Sequence, residues 1–152
     1  MLAIEPYRPA RSEELLAFLA RCLPESGRTF DPAGRHAHLR DVESSFDAFW
    51  CLVEDGERIA GCVGVRTLGE GICELETLFV LERLHGQGWG RRLAEQAIAF
   101  ARAEGFRTMR LDTISTSSNA IGLYRRLGFE SIERYDDNPA ADVFMELALA
   151  RP

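Results

Sequence analysis

The chain has 152 residues, 46% hydrophobic and 28% charged, with a net charge of −6. That is one ordinary soluble domain, 1–152, large enough to bury a core without disulfides or a structural metal. The acidic balance argues against a nucleic-acid partner, and no apolar run approaches the roughly 20 residues of a membrane span.

Met1 to Pro6 has no basic and then apolar leader pattern, which predicts a cytoplasmic protein. All 18 basic residues are Arg, so the chain has no Lys of its own to acylate. Cys22, Cys51, Cys62 and Cys73 are widely spaced and read as small buried hydrophobes. His36, His38 and His85 lack carboxylates at ligand spacing, so no metal site is expected.

Leu2 to Tyr7 reads as a first strand. Ser12 caps a helix whose apolar stripe is Leu15, Leu16, Phe18 and Leu19. Asp31-Pro32 has the form of an N-cap and N1 pair, predicting a second helix to about Phe46. The period then changes to two. Phe49–Val53, Arg58–Arg66 and Ile72–Leu81 predict an antiparallel meander, with turns at Asp55-Gly56 and Gly69–Gly71. A third helix is expected over Gly88–Glu104, striped by Leu93, Ala97, Phe100 and Ala101 and stopped by Gly105-Phe106. Thr108–Thr113 is a strand. Ser117 or Ser118 caps a short helix bearing Ala120, Leu123, Tyr124 and Leu127, stopped by Gly128-Phe129. Phe129–Tyr135 and Val143–Leu149 are the last strands. The order β-α-α-β-β-β-α-β-α-β-β defines an α+β sheet with helices packed on it.

The chemistry begins at His85-Gly86-Gln87-Gly88-Trp89-Gly90. A strand, a glycine-rich loop and a helix bind phosphate well. The helix N-terminus offers unpaired N–H groups and partial positive charge, and glycines let the backbone approach. A tight turn without ligand is the plain alternative. Gly-Lys-Ser/Thr is missing, so this is not a Walker A loop, and the dinucleotide pattern Gly-x-Gly-x-x-Gly is not met.

The loop resembles the signature Gln/Arg-x-x-Gly-x-Gly/Ala of the GCN5-related N-acetyltransferases, with His85 standing at its first position. Glu74-Leu75-Glu76-Thr77-Leu78-Phe79-Val80 resembles that family's central strand, which splays from the next and pairs with the pantetheine arm. Asn119 to Phe129 resembles its Ala-x-x-Leu-Tyr-x-x-x-Gly-Phe motif, and the tail from Tyr135 resembles its C-terminal hairpin. The resemblance implies a mixed, mostly antiparallel sheet with helices on both faces. It implies acetyl-CoA as cosubstrate, held by Leu78, Phe79, Val80, the loop from His85 through Gly86, Gln87, Gly88, Trp89 and Gly90 to Arg91, and Asn119 and Tyr124. It implies an amine acceptor on a small molecule or peptide, attacked directly in a ternary complex. Such domains often pair as homodimers.

Glu74 and Glu76 lie i, i+2 on a strand, sharing a face with Ile72, Leu78 and Val80. A Glu in a partly apolar cleft titrates higher, which suits a base; the family pattern favours Glu74, acting through water. Asp112 and Asp41 are reserve candidates, and a solvent-facing pair is the alternative. The resemblance makes Tyr124 the proton donor to the departing thiolate; by periodicity it is also a core tyrosine. The oxyanion donor is expected to be a backbone N–H at Phe79 or Val80. Tyr135, Asn138 and Glu76 are assigned to the acceptor pocket, although Asn138-Pro139 also reads as a simple turn. Two other readings remain: a non-catalytic acyl-CoA sensor and a nucleotide phosphate binder.

Overall fold

The computed structural model describes residues 1–149; of the predicted domain, only Ala150, Arg151 and Pro152 lie outside the described residues. Seven strands form one sheet. They are β1 (Leu2–Pro6), β2 (Ala48–Glu54), β3 (Arg58–Gly69), β4 (Ile72–Val80), β5 (Thr108–Thr113), β6 (Glu130–Ile132) and β7 (Val143–Ala148), in the spatial order β1-β2-β3-β4-β5-β7-β6. All neighbours are antiparallel but β4 and β5, which are parallel. The helices are α1 (Ser12–Cys22), α2 (Val42–Ser45), α3 (Trp89–Ala103) and α4 (Ser118–Arg126). Among the described residues no helix is long and apolar enough to cross a membrane.

The two large helices cover opposite faces. Trp50 pairs with Val63 across β2 and β3, and Phe100 of α3 meets the Trp50 ring edge-on at 5.5 Å. On the same face Gly61 allows a close approach: a Cβ there would stand 3.2 Å from Leu93 and 3.0 Å from the Phe79 carbonyl oxygen. Cys51 and Cys62 pair on the other face, beside Cys22 of α1. All four cysteines are buried free thiols.

Both Gly-Phe stops end their helices as expected. Phe106 N–H bonds to Ala101 C=O (3.0 Å) and Gly105 N–H to Arg102 C=O (3.1 Å). Phe129 and Gly128 repeat this with Tyr124 and Arg125, each bond 3.0 Å. These pairs of bonds satisfy carbonyls that the helix end would otherwise leave open, with glycine at positive φ.

The predicted helix from Asp31 to Phe46 does not form. Asp31 makes a single turn, its carbonyl accepting from Gly34 and His36 N–H and its carboxylate from Arg35 N–H. A 3-10 turn at Ala37–Arg40 and the one-turn α2 follow. Phe30 and Phe46 pack against the His36 and His38 rings, an arrangement without a continuous apolar stripe. The strand predicted over Phe129–Tyr135 stops at Ile132. Beyond it Arg134 binds the carbonyls of Asn138 and Ala141, which folds the chain into a loop.

Of the three register shifts in the sheet's described strands, one shapes the cleft. Cys62 pairs with Phe79 and Gly64 with Glu76, so one residue of β3 faces two of β4, Thr77 and Leu78. This is a β-bulge, with Thr77 at φ 59°, a costly conformation for a β-branched residue. Side-chain alternation reverses across it. Glu74 and Glu76 keep Ile72 on their face, but beyond the bulge Phe79 joins them and Val80 turns to the α3 face. The predicted shared face of Glu74, Glu76 and Val80 is thereby corrected.

Leu93 is fully buried under the sheet. Leu93→Ala should lower the stability of the fold by about 2–5 kcal/mol, read from the urea midpoint at unchanged slope.

Candidate active site

β4 and β5 share only the pairs Ile72–Thr108, Cys73–Met109 and Glu74–Arg110, then part while β4 continues to Val80 and β5 to Thr113. The fork is occupied by cavities, not by another strand. One, of about 280 Å³, is walled by Glu76 to Phe79 of β4 and Leu111 to Thr113 of β5. A second, of about 610 Å³, lies along the glycine loop. A third, of about 330 Å³, touches Phe79, His85 and Asn119. Leu78 lines all three.

The loop is built for backbone donation. Gly86 and Gly88 take φ of 80° and 87°, and a Cβ on either would meet nothing within 4 Å. Glycine is thus required by conformation, not by lack of room. Gly88 is the N-cap of α3, with no side-chain cap, so the first-turn N–H groups face the cleft without a protein acceptor. Arg91 pairs with Glu95 at 3.4 Å, and the Arg92 guanidinium stacks 4.3 Å over Trp89. An anion here would therefore be met by backbone dipoles. The His85 ring binds the Val80 carbonyl through Nε2 at 2.8 Å, tying the loop to the end of β4.

Of the predicted cofactor residues, Leu78, Val80, His85, Gly86, Gly88, Trp89, Gly90, Arg91 and Asn119 line the large cleft. Phe79 lies on the two adjoining cavities and Tyr124 on the 280 Å³ one. Gln87 is exposed outside all three, its side-chain amide near the Arg83 carbonyl.

The 280 Å³ cavity brings Glu76, Tyr124 and Asn138 together, with Asp112 and His38. Glu74 lies beneath, only 3% exposed. Its carboxylate accepts from Tyr135 Oη (2.6 Å) and Arg66 Nε (3.0 Å), and Arg66 also clamps Glu76. Burial, opposed by the Tyr135 bond and reinforced by the Glu76 charge, raises the Glu74 carboxyl to about 7. Burial would raise Glu76 as well, but hydrogen bonds with His38 and Glu74 and the Arg66 charge hold it below the usual range. Arg66 bridges the two carboxyls, and of the pair Glu74 is the one that holds its proton nearer neutrality. Burial, the Asp136 hydrogen bond and nearby negative charge push Asp112 up to about 8. Asn138 Nδ2 lies 3.4 Å from Asp112. Tyr124 is 6% exposed, and burial raises its hydroxyl to about 12. Asp41 is exposed at the start of α2 and lines none of the cavities.

Arg66 and His38 were not found by sequence reasoning. Arg66 is an unmarked strand residue opposite Glu74. His38 lies on the 3-10 turn where a helix was expected, and nothing local marks it.

A mixed sheet forked over a glycine loop at a helix N-terminus defines an acetyltransferase fold. An acetyltransferase from Staphylococcus aureus superposes with a TM-score of 0.89 over 99% of this chain and 100% of its own, at 20% identity. The PaiA N-acetyltransferase of Thermoplasma acidophilum, in complex with coenzyme A, superposes at 0.76 over 97% and 99%, at 14% identity. The chain belongs to the acetyltransferase (GNAT) family, whose sequence model matches residues 12–129. The uncharacterized N-acetyltransferase YjgM of Escherichia coli is 36% identical over 57% of this chain and 53% of its own length. The chain spans about half the length of the curated relatives it matches.

Glu74 and Asp112 titrate higher in the folded chain than their unfolded values of 4.5 and 3.8. The folded protein therefore binds extra protons between those values and about 7 to 8. This stability is complete below about pH 4 and is lost progressively as pH rises from there through 7 and 8. The melting temperature should fall across about pH 4 to 8, and Asp112→Asn should flatten the fall. An identical profile in the variant would show that Asp112 ionises freely.

Proposed function

We propose that the chain transfers the acetyl group of acetyl-CoA to an amine of a small molecule or peptide, by direct attack in a ternary complex in the cytoplasm. The observation that carries this reading is the fork itself. It joins a backbone anion site on the α3 face to a carboxylate-and-tyrosine pocket on the α1 face. The loop from His85 to Arg91 receives the pyrophosphate. Leu78, Val80 and Asn119 border the pantetheine, so the thioester reaches Tyr124.

The amine must first lose a proton, since an ammonium has no lone pair. Glu76 faces the cavity and receives the ammonium. Glu74, buried beneath Glu76 and titrating at about 7, is suited to take the amine's proton as base through water. The amine lone pair attacks the thioester carbon, with the oxyanion on a backbone N–H at Phe79 or Val80. The C–S bond then breaks. Tyr124, still protonated at neutral pH, gives its hydroxyl proton to the thiolate, its phenolate takes up the second proton shed by the new amide nitrogen, and amide and free CoA are released. Tyr135 orients Glu74 through their hydrogen bond, and Asn138 borders the acceptor.

Tyr124→Phe should reduce turnover about 100-fold with little change in acetyl-CoA affinity; equal turnover in the variant removes Tyr124 from this role. The rise of kcat/KM with pH through about 7 should vanish in Glu74→Gln, leaving only the ionisation of the acceptor amine. A limb that persists assigns the base elsewhere. Acetyl-CoA binding without thiol release over a broad amine panel would make the protein a sensor, and calorimetric binding of ATP or NAD in place of CoA would make it a nucleotide binder.

A further inference from the structure

The acceptor cavity has two electrical poles. Glu76, held ionised, forms one, with the neutral Asp112 carboxyl beside it; Arg28 and Arg35 line the same cavity and form the other. Arg28 is half-buried, and the groups that it touches are neutral. It donates to Ser26 Oγ at 3.0 Å and Ser117 Oγ at 2.8 Å, and stands 5.4 Å over the Phe79 ring. Among the described residues neither Arg28 nor Arg35 has a carboxylate within ion-pair distance. Arg11, the most deeply buried arginine, does have one in Glu5, and Arg66 has two.

A guanidinium drawn out of water without a counter-ion is costly. Burial weakens the hold of Arg28 on its proton, and the charge of Arg35 adds to that. The missing anion does not come from the cosubstrate. Its pyrophosphate belongs to the glycine loop across the sheet, its 3′-phosphate lies beyond that, further still from the thioester, and the thioester end is uncharged. The anion must then arrive with the other reactant.

We propose that the acceptor is a small amine carrying its own carboxylate, of the α-amino acid class. Its ammonium sits against Glu76, and its carboxylate against Arg28 with Arg35 behind. A cavity of about 280 Å³ suits a molecule of that size. A peptide N-terminus is a poorer match, because its neighbouring carboxyl is consumed in an amide. For its chemistry this inference rests on the acetyl-transfer reading; for its binding it does not.

The test compares the standard L-amino acids with their α-carboxamides, pair by pair. Thiol release gives kcat/KM, and calorimetry gives affinity for the protein saturated with CoA. At least one free acid should exceed its carboxamide by about 10-fold or more, the range of a charge-assisted hydrogen bond. Arg28→Gln should bring that ratio close to one, and Arg28→Lys should restore much of it, which separates charge from folding. A wild-type ratio of one or less in every pair, or a ratio that Arg28→Gln leaves unmoved, overturns the inference. Turnover of carboxamides or peptides in preference to acids upholds acetyl transfer and overturns it too. Arg28-dependent binding of the acid without any thiol release upholds the carboxylate site and overturns the transfer reading instead.

Discussion

The separation of β4 from β5 is the constraint on which the rest of the structure depends. Three residue pairs hold the strands together, and beyond Glu74 and Arg110 they diverge. A parallel pair normally continues its ladder, because unpaired backbone groups inside a sheet are costly. Here the bulge at Thr77 re-aims β4, and α4 brings Tyr124 to the opening. The His85 ring caps the Val80 carbonyl where β4 ends. The sheet is thereby a wall with a slot, and the slot sets which residues can meet.

Electrostatics on the α1 side follow from the same opening. Glu74 lies at the last paired position, deep enough to lose water, while Glu76 stands two residues on in the cavity wall. One arginine, Arg66, spans both. Their environments push two chemically identical carboxyls apart, one up and one down. Tyr135 adds a hydrogen bond to Glu74 from the far end of the sheet. It reaches that position because the strand after Phe129 ends early. The shortened strand is therefore part of how the site is assembled.

Sequence patterns revealed the parts governed by local physics. The glycine loop, the α3 stripe and the two Gly-Phe stops each follow from a backbone requirement within a few residues. The bulge was invisible because Thr77 is an ordinary strand residue; only the pairing with β3 shows that one residue too many lies between Glu76 and Phe79. A simple period of two therefore places Val80 on the wrong face. The stretch from Asp31 to Phe46 failed differently. Its Asp-Pro start is genuine, but packing around His36, His38 and Leu39 outweighs helix propensity there. That stretch contributes His38 and Arg35 to the cavity, and with Arg28 they had no local signature.

A slot through a sheet has two mouths. The glycine loop guards one, and the irregular chain between α1 and β2 guards the other, with Leu78 common to both sides. The lining of each mouth is supplied by separate stretches of sequence. Substitutions among residues 28–39 can therefore retune what enters from the α1 side without disturbing the α3 N-terminus. The architecture separates two ports built from different stretches of sequence, so the lining of one can change while the loop at the α3 N-terminus stays as it is.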